Sequence, residues 1–181
     1  MDWSEVEQRQ PRLAELGRRL LMNPGLVLVA TIRRDGAPRL SPIEPWIMDG
    51  VLWLSMMWQS TKAMDLTRDP RILVHNAVAN RDDQAGEFKL RGTAENETSP
   101  SMQRRYAAEV SQSFGWNPEP GRFHLFAVGI ERVTCIRYDG ATGDQHVVLW
   151  PPGREFIRRA TSATSVGEPE LISGILQPDP A

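Results

Sequence analysis

A chain of 181 residues and 20.4 kDa holds one domain and not comfortably two. Its 21 Lys and Arg against 23 Asp and Glu give a formal net charge of -2, which excludes a global positive field for nucleic acid or an anionic membrane. With 40% hydrophobic and 24% charged residues, the composition is that of a folded, soluble protein. A single cysteine, Cys135, cannot close an intramolecular disulfide, and His75, His124 and His146 are too widely separated to form a pair at zinc-ligand spacing. The N-terminus is acidic and has no apolar signal segment, and no apolar run approaches the roughly 18 residues of a membrane span, so the expected compartment is the cytoplasm.

In chain order, Ser4 and Glu7 have the spacing of a capping box, and Pro11 suits the first turn of a second helical piece. Leu13, Leu16 and Leu20 then predict an amphipathic helix ending near Met22. Asn23, Pro24 and Gly25 break it. Residues 26–32 (LVLVATI) read as a strand buried on both faces, and Asp35-Gly36 turns the chain into a second strand over 39–48, which Pro42 and Pro45 interrupt. Asp49-Gly50 leads into a third strand over 51–57, and these three strands predict an antiparallel meander.

Ser60 is placed to cap a helix over 61–68, which Asp69-Pro70 stops ahead of a strand over 71–78. Residues 80–86 form a polar loop, with Asp82 and Asp83 solvated. A strand over 87–95 puts Phe88, Leu90 and Gly92 on one face. Ser99-Pro100 opens a helix to about Phe114, and residues 123–138 make one long strand with a bulge placed at Gly129. A last strand covers 145–150. The domain is therefore drawn as residues 1–150, with 151–181 as a partly irregular C-terminal extension over the surface. The expected fold is mainly β with flanking helices, an antiparallel closed or split β-barrel, with an open α+β sheet as the alternative.

The segment from Ser55 to Lys62 is the most informative chemically. It runs from a strand end into a helix N-terminus, bringing the hydroxyls of Ser60 and Thr61, the Lys62 ammonium and the free N–H groups of a first helical turn around one point. Such a group can cradle a phosphate, and Arg39 on the neighbouring strand can add a planar donor fork. An ordinary capped helix would present the same residues. His75 and His124 lie in apolar strands, where a hydrogen-bonded core imidazole is the expected role. The string Trp46, Met48, Trp53, Met56, Met57 and Trp58 suits half-buried barrel strands and a dimer interface as well as a stacking face.

From about residue 25 to 138, roughly three fifths of the chain, the order of elements resembles the FMN-binding split-barrel superfamily. The strings VATIRRDGAPRLSPI, VLWLSMMWQSTKAMDLTRDPRI and FHLFAVGIERV carry the likeness. The most family-specific piece is Ser60 to Ala63 followed by Asp69-Pro70-Arg71. That superfamily includes the pyridoxamine 5′-phosphate oxidases and their actinobacterial flavin and deazaflavin reductase relatives.

The resemblance implies an FMN phosphate held by Arg39, Ser60, Thr61 and Lys62. It implies an isoalloxazine edge against Leu40, Ser41, Pro42, Ser55 and Met56, and Trp150 and Arg154 reaching the cofactor of a second subunit. It further implies a homodimer with two equivalent clefts and a small-molecule substrate. Thr61 stands where the family often has arginine. Glu44 stands where the vitamin B6 oxidases carry a lysine for the substrate phosphate, and their Arg-rich C-terminal signature is absent. Vitamin B6 oxidation is therefore not expected, and Glu44 and the loop around Trp116 become the candidate substrate residues. The expected function is hydride or electron transfer between FMN and a small conjugated substrate. The alternatives are a deazaflavin-dependent reductase and a non-catalytic flavin or haem carrier.

Overall fold

A computed structural model describes residues 1–78 and 86–172; the expected polar loop with Asp82 and Asp83 falls almost wholly outside the described residues. Two helices open the chain, α1 (Trp3–Arg9) and α2 (Pro11–Met22). The cap of α1 is Asp2, whose carboxylate accepts from Glu5 N at 2.9 Å, and not Ser4. The Ser4 N–H is instead given to Gly50 O at 2.7 Å, and Glu7 accepts from Trp3 Nε1, so neither member of the expected box is available.

Strands β1 (Val27–Ile32) and β2 (Pro38–Ile43) form a hairpin, as do β3 (Pro45–Met48) and β4 (Val51–Met57). The expected meander is thus modified, because the middle strand breaks at Glu44 between two prolines and its halves pair with different neighbours. Helix α3 (Thr61–Arg68) leads to β5 (Arg71–Asn76), shorter than the expected 71–78. Asn76 ends it by offering its side chain to the next strand, with Nδ2 donating to Gly86 O at 3.1 Å and Oδ1 accepting from Phe88 N at 2.7 Å. Then follow β6 (Glu87–Glu97), α4 (Pro100–Phe114) and the long β7 (Phe123–Tyr138).

Strands β1, β5, β6, β7, β4 and β3 lie side by side, each hydrogen-bonded to the next. Because β2 is continuous with β3 and returns to β1, the path closes into a barrel, the expected split-barrel architecture. The split lies along β7, which pairs with β4 over Phe123 to Ala127 and with β8 (Gln145–Trp150) over Val133 to Tyr138. The C-terminal segment is not merely a surface cover: β9 (Arg154–Arg158) joins β8, and β12 (Glu170–Ile172) joins β9 in the same sheet. A small hairpin of β10 (Ala160–Ser162) and β11 (Ser165–Val166) lies between them.

The β6–β7 ladder pairs Arg91 with Arg132 and Gly92 with Ile130, so the extra residue is Glu131 and not Gly129. This bulge reverses the parity of β7, which buries Phe126, Val128 and Ile130 before it and Val133 and Cys135 after it in one core with α1 and α2. A second core, under α4, takes Trp53, Phe123 and Leu125 from the outer face together with Tyr106 and Val110. A Cβ on Gly92 would stand 1.9 Å from Gly129 O, a backbone atom that cannot step aside. Gly92→Ala is expected to cost roughly 3 kcal/mol, the upper part of the overpacking range, read as a lower urea midpoint.

On β1, Val27, Val29 and Thr31 are buried, while Leu28, Ala30 and Ile32 are half-buried on the outer face of the barrel. The strand is therefore covered on one face only. In register with its outer row lie Pro42 and Leu40 of β2 and Leu73 of β5, with Leu40 63% exposed.

Candidate functional site

Strand β4 ends in a tight turn whose Gln59 has φ +57, left-handed backbone that a residue with a Cβ rarely adopts. Ser60 then occupies the N-cap of α3 with extended backbone, yet its side chain makes no cap hydrogen bond. Its Oγ is enclosed and has no partner among the described residues. A cap hydroxyl that the helix does not use, next to the free N–H groups of a first turn, is a group held for something else. Lys62 is half-buried in that same turn, and its ammonium pairs with no described side chain.

Beside this terminus lies a cleft of about 480 Å³ lined by Arg33, Arg34, Asp35, Arg39, Thr61, Met64 and Asp65. The structure thus brings Arg39 and Thr61 of the expected phosphate residues into one cleft, while Ser60 and Lys62 adjoin it without lining it. Arg39 is not simply available as an open fork. Its Nε donates to Asp65 Oδ2 at 2.7 Å, Thr31 Oγ1 donates to the same oxygen at 3.1 Å, and Arg68 Nη1 reaches Oδ1 at 3.4 Å. Asp65 is only 4% exposed. Burial pushes its carboxyl upward, but the bonds from Arg39 and Thr31 outweigh that and hold it below the ordinary carboxylate value. The arginine is thereby fixed in position through its Nε, within the lining of the cleft.

Asp65 is a site residue that no motif in the sequence marks. Its signal was an acid between Ala63 and Leu66, at a core-facing position of a short helix, with Thr31 as the polar residue of an apolar strand.

The remaining candidates divide. Ser41 is half-buried on β2, while Leu40 and Pro42 lie on the exposed outer face. Met56 is 2% exposed inside the barrel core. Ser55, on the opposite face of β4, accepts from the Tyr106 hydroxyl at 2.9 Å. Burial above all pushes that phenol up to about 12; the bond to Ser55 opposes the rise and the charge of Glu44 adds to it. Trp116 meets Phe123 edge-on at 6.1 Å, and Phe123 packs against Tyr106 at 5.9 Å. Tyr106 thus links Ser55 directly and Trp116 through Phe123 and feels the charge of Glu44. Tyr106 is a residue not expected from the sequence, although Gln103, Tyr106 and Val110 recur at helical spacing. Trp150 is 4% exposed in the chain's own core with Arg9 over its ring, so its side chain is not presented to a second subunit. Arg154 is exposed on β9, away from the cleft lining.

His124 is 8% exposed, and its Nε2 accepts from Gln59 N at 3.3 Å, a hydrogen-bonded core imidazole as expected for this strand. Among the described residues, no helix is long and apolar enough to cross a membrane.

The family model described as Pyridoxamine 5′-phosphate oxidase matches residues 13–136. Three solved structures show the range of the likeness. A putative pyridoxamine 5′-phosphate oxidase from Listeria innocua is 15% identical, covers 67% of this chain and 95% of its own, and has a TM-score of 0.56. A heme binding protein from Mycobacterium smegmatis is 20% identical, with 70% of this chain and 54% of its own covered and a TM-score of 0.54. An F420 reductase is 16% identical, with 64% and 94% covered and a TM-score of 0.52. At these identities the likeness speaks for the fold alone. No curated protein matches the chain.

Proposed function

The chain belongs to the pyridoxamine 5′-phosphate oxidase family, and on that premise we propose that it is an FMN-dependent oxidoreductase acting on a small conjugated substrate as a homodimer. The observation that carries the reading is the enclosed, unpartnered Oγ of Ser60 at the N-terminus of α3. A phosphate oxygen placed there satisfies that hydroxyl, takes the first-turn N–H groups and meets the Lys62 ammonium, so the residues present fit the group. Arg39, oriented by Asp65, adds charge from the cleft side.

FMN, when bound, supplies the hydride or electron transfer itself. The chain's part is to bind and orient. Ser60, Thr61 and Lys62 hold the phosphate end, and the backbone of β2 near Ser41 together with Ser55 flanks the ring. Tyr106 fixes the Ser55 hydroxyl by donating to it, which sets that oxygen's direction. Glu44, whose charge is felt at Tyr106, and Trp116, which packs on Phe123 beside Tyr106, select the substrate. An acid at Glu44 repels an anionic substrate, which is why efficient oxidation of pyridoxamine 5′-phosphate is not expected; measuring it would overturn this role of Glu44.

One observation favours a second reading. Arg33 and Arg34, with Asp35 beside them, add two cations to the lining beyond Arg39, which suits a deazaflavin with an acidic tail. For a haem carrier, by contrast, His124 has its Nε2 engaged by Gln59.

Dimerisation rests on the outer strip of Leu28, Ala30, Leu40, Pro42 and Leu73, an apolar row on a sheet face that this chain leaves open. Sedimentation is expected to give about twice 20.4 kDa at micromolar concentration, and a stable folded monomer would contradict it. The cofactor assignment is tested by the absorption spectrum after aerobic purification and reconstitution. A flavin doublet retained through gel filtration is expected. A Soret band, or binding of deazaflavin in preference to FMN, would replace this reading with one of the others.

A further inference from the structure

His124 does more than fill the core. Its ring stacks with Trp58 at 4.8 Å and 11° and with Phe126 at 6.1 Å and 15°. Across the β4–β7 ladder it stands opposite Met56, the last core residue before the turn. Its Nε2 accepts the N–H of Gln59, the residue whose left-handed backbone turns the chain toward α3. Only Ser60 separates Gln59 from the first helical residue. The orientation of the first-turn N–H groups and of the Ser60 hydroxyl therefore depends on a bond that only a neutral imidazole can accept at that nitrogen.

We infer that His124 is a positioning residue for the anion site, so that protonating it releases the Gln59 turn and weakens phosphate binding at the N-terminus of α3. The inference rests on the cofactor reading given above. Burial disfavours the imidazolium and holds the His124 pKa below its ordinary value, so the site stays assembled at neutral pH and loosens only on the acid side. No charged side chain contributes to that shift. The ring stacks with Trp58 and Phe126, is bonded by Gln59 and stands in register with Met56, all uncharged, and the acid facing β7 from β6 at this end, Glu97, lies opposite Leu125 with its carboxylate accepting from Ser99 N. The sign is that of a group kept neutral by folding. The bond is present above the depressed folded value and is lost as pH falls through it, and the stability it contributes is complete above the ordinary value of 6.5.

The test is FMN affinity against pH, bracketing the His124 midpoint measured by imidazole NMR. FMN's own phosphate takes up a proton near pH ~6, so the wild type is compared with His124→Gln, whose amide oxygen is an acceptor that does not titrate. The wild type is expected to lose about five-fold more affinity than His124→Gln across the midpoint, the scale of one neutral hydrogen bond. His124→Phe keeps the stack and loses the acceptor, so its affinity is lowered about five-fold already at neutral pH, with the pH profile of His124→Gln. In the ligand-free protein, exchange of the Gln59 amide is expected to accelerate through the same midpoint. Superimposed pH profiles for wild type and His124→Gln, or a Gln59 amide indifferent to the midpoint, would overturn the inference alone. Absence of FMN binding at neutral pH would overturn it together with the cofactor reading.

Discussion

Asp65→Ala is expected to destabilise the protein by about 3–5 kcal/mol, the range for breaking a buried charge cluster by removing one partner. The carboxylate takes bonds from Thr31, Arg39 and Arg68, and its removal strands the Thr31 hydroxyl in the core and leaves Arg39 charged with its side chain only 21% exposed. Asp65→Asn, which keeps the shape and some of the bonds, is expected to cost less. The check is a urea titration in which the midpoint falls and the slope does not. In the double variant Arg39→Ala/Asp65→Ala the losses are expected to be less than additive, because the second deletion removes the charge that the first left unpaired. The pH dependence has a fixed sign. A carboxyl held below its ordinary 3.8 in the folded state contributes its stability above about pH 4 and loses it as pH falls through the lower folded value. Stability of Asp65→Ala is therefore expected to fall less steeply with acid than that of the wild type.

Lys62→Ala is expected to weaken FMN binding by about 1.5–3 kcal/mol, roughly ten- to a hundred-fold in Kd, the scale of a charge-assisted bond to phosphate. Because no described side chain pairs with Lys62, its removal is expected to leave the melting temperature of the ligand-free protein nearly unchanged. The loss appears only in the stabilisation that added FMN provides, since a ligand stabilises the state that binds it. Arg39→Ala behaves differently: it strands Asp65, so it lowers stability with and without cofactor. Ser60→Ala is expected to leave ligand-free stability unchanged as well, because its hydroxyl caps nothing. A drop near 1 kcal/mol there would restore the ordinary capping role.

Much of this molecule was legible before the structure. The strands over 51–57, 123–138 and 145–150 and the helix after Ser60 were readable because turn residues bracket each one: Asp49-Gly50, Asp69-Pro70, and the Pro and Gly residues ahead of Phe123. Sheet closure was harder to read. Pro42 and Pro45 announced an irregularity, but no local pattern says that the halves on either side of Glu44 pair with different strands. The bulge was misplaced for a similar reason. Gly129 is the residue that looks permissive, yet the extra residue is Glu131, and the glycine the packing requires is Gly92, where a Cβ would meet the carbonyl oxygen of Gly129. The strands after Pro151 were missed since Arg-rich and Ser/Thr-rich segments show no alternation, and β8 recruits them by offering an open edge.

At the site, the sequence supplied the residue types around α3 but not their state. It presented Ser60 as a cap and Arg39 as a donor fork. Backbone geometry left the hydroxyl of one unused, and a buried acid a helical turn away took up the Nε of the other. Such effects depend on contacts between positions 26 residues apart, as for Arg39 and Asp65, and no window along the chain contains them.

The most direct measurement is a side-by-side titration of the ligand-free protein with FMN and with riboflavin, which differ by the phosphate alone. FMN is expected to bind tighter than riboflavin by about ten-fold or more, and Lys62→Ala to erase most of this difference while leaving riboflavin affinity unchanged. Equal affinities for the two ligands, or equal losses for both in Lys62→Ala, would contradict this and place the phosphate elsewhere.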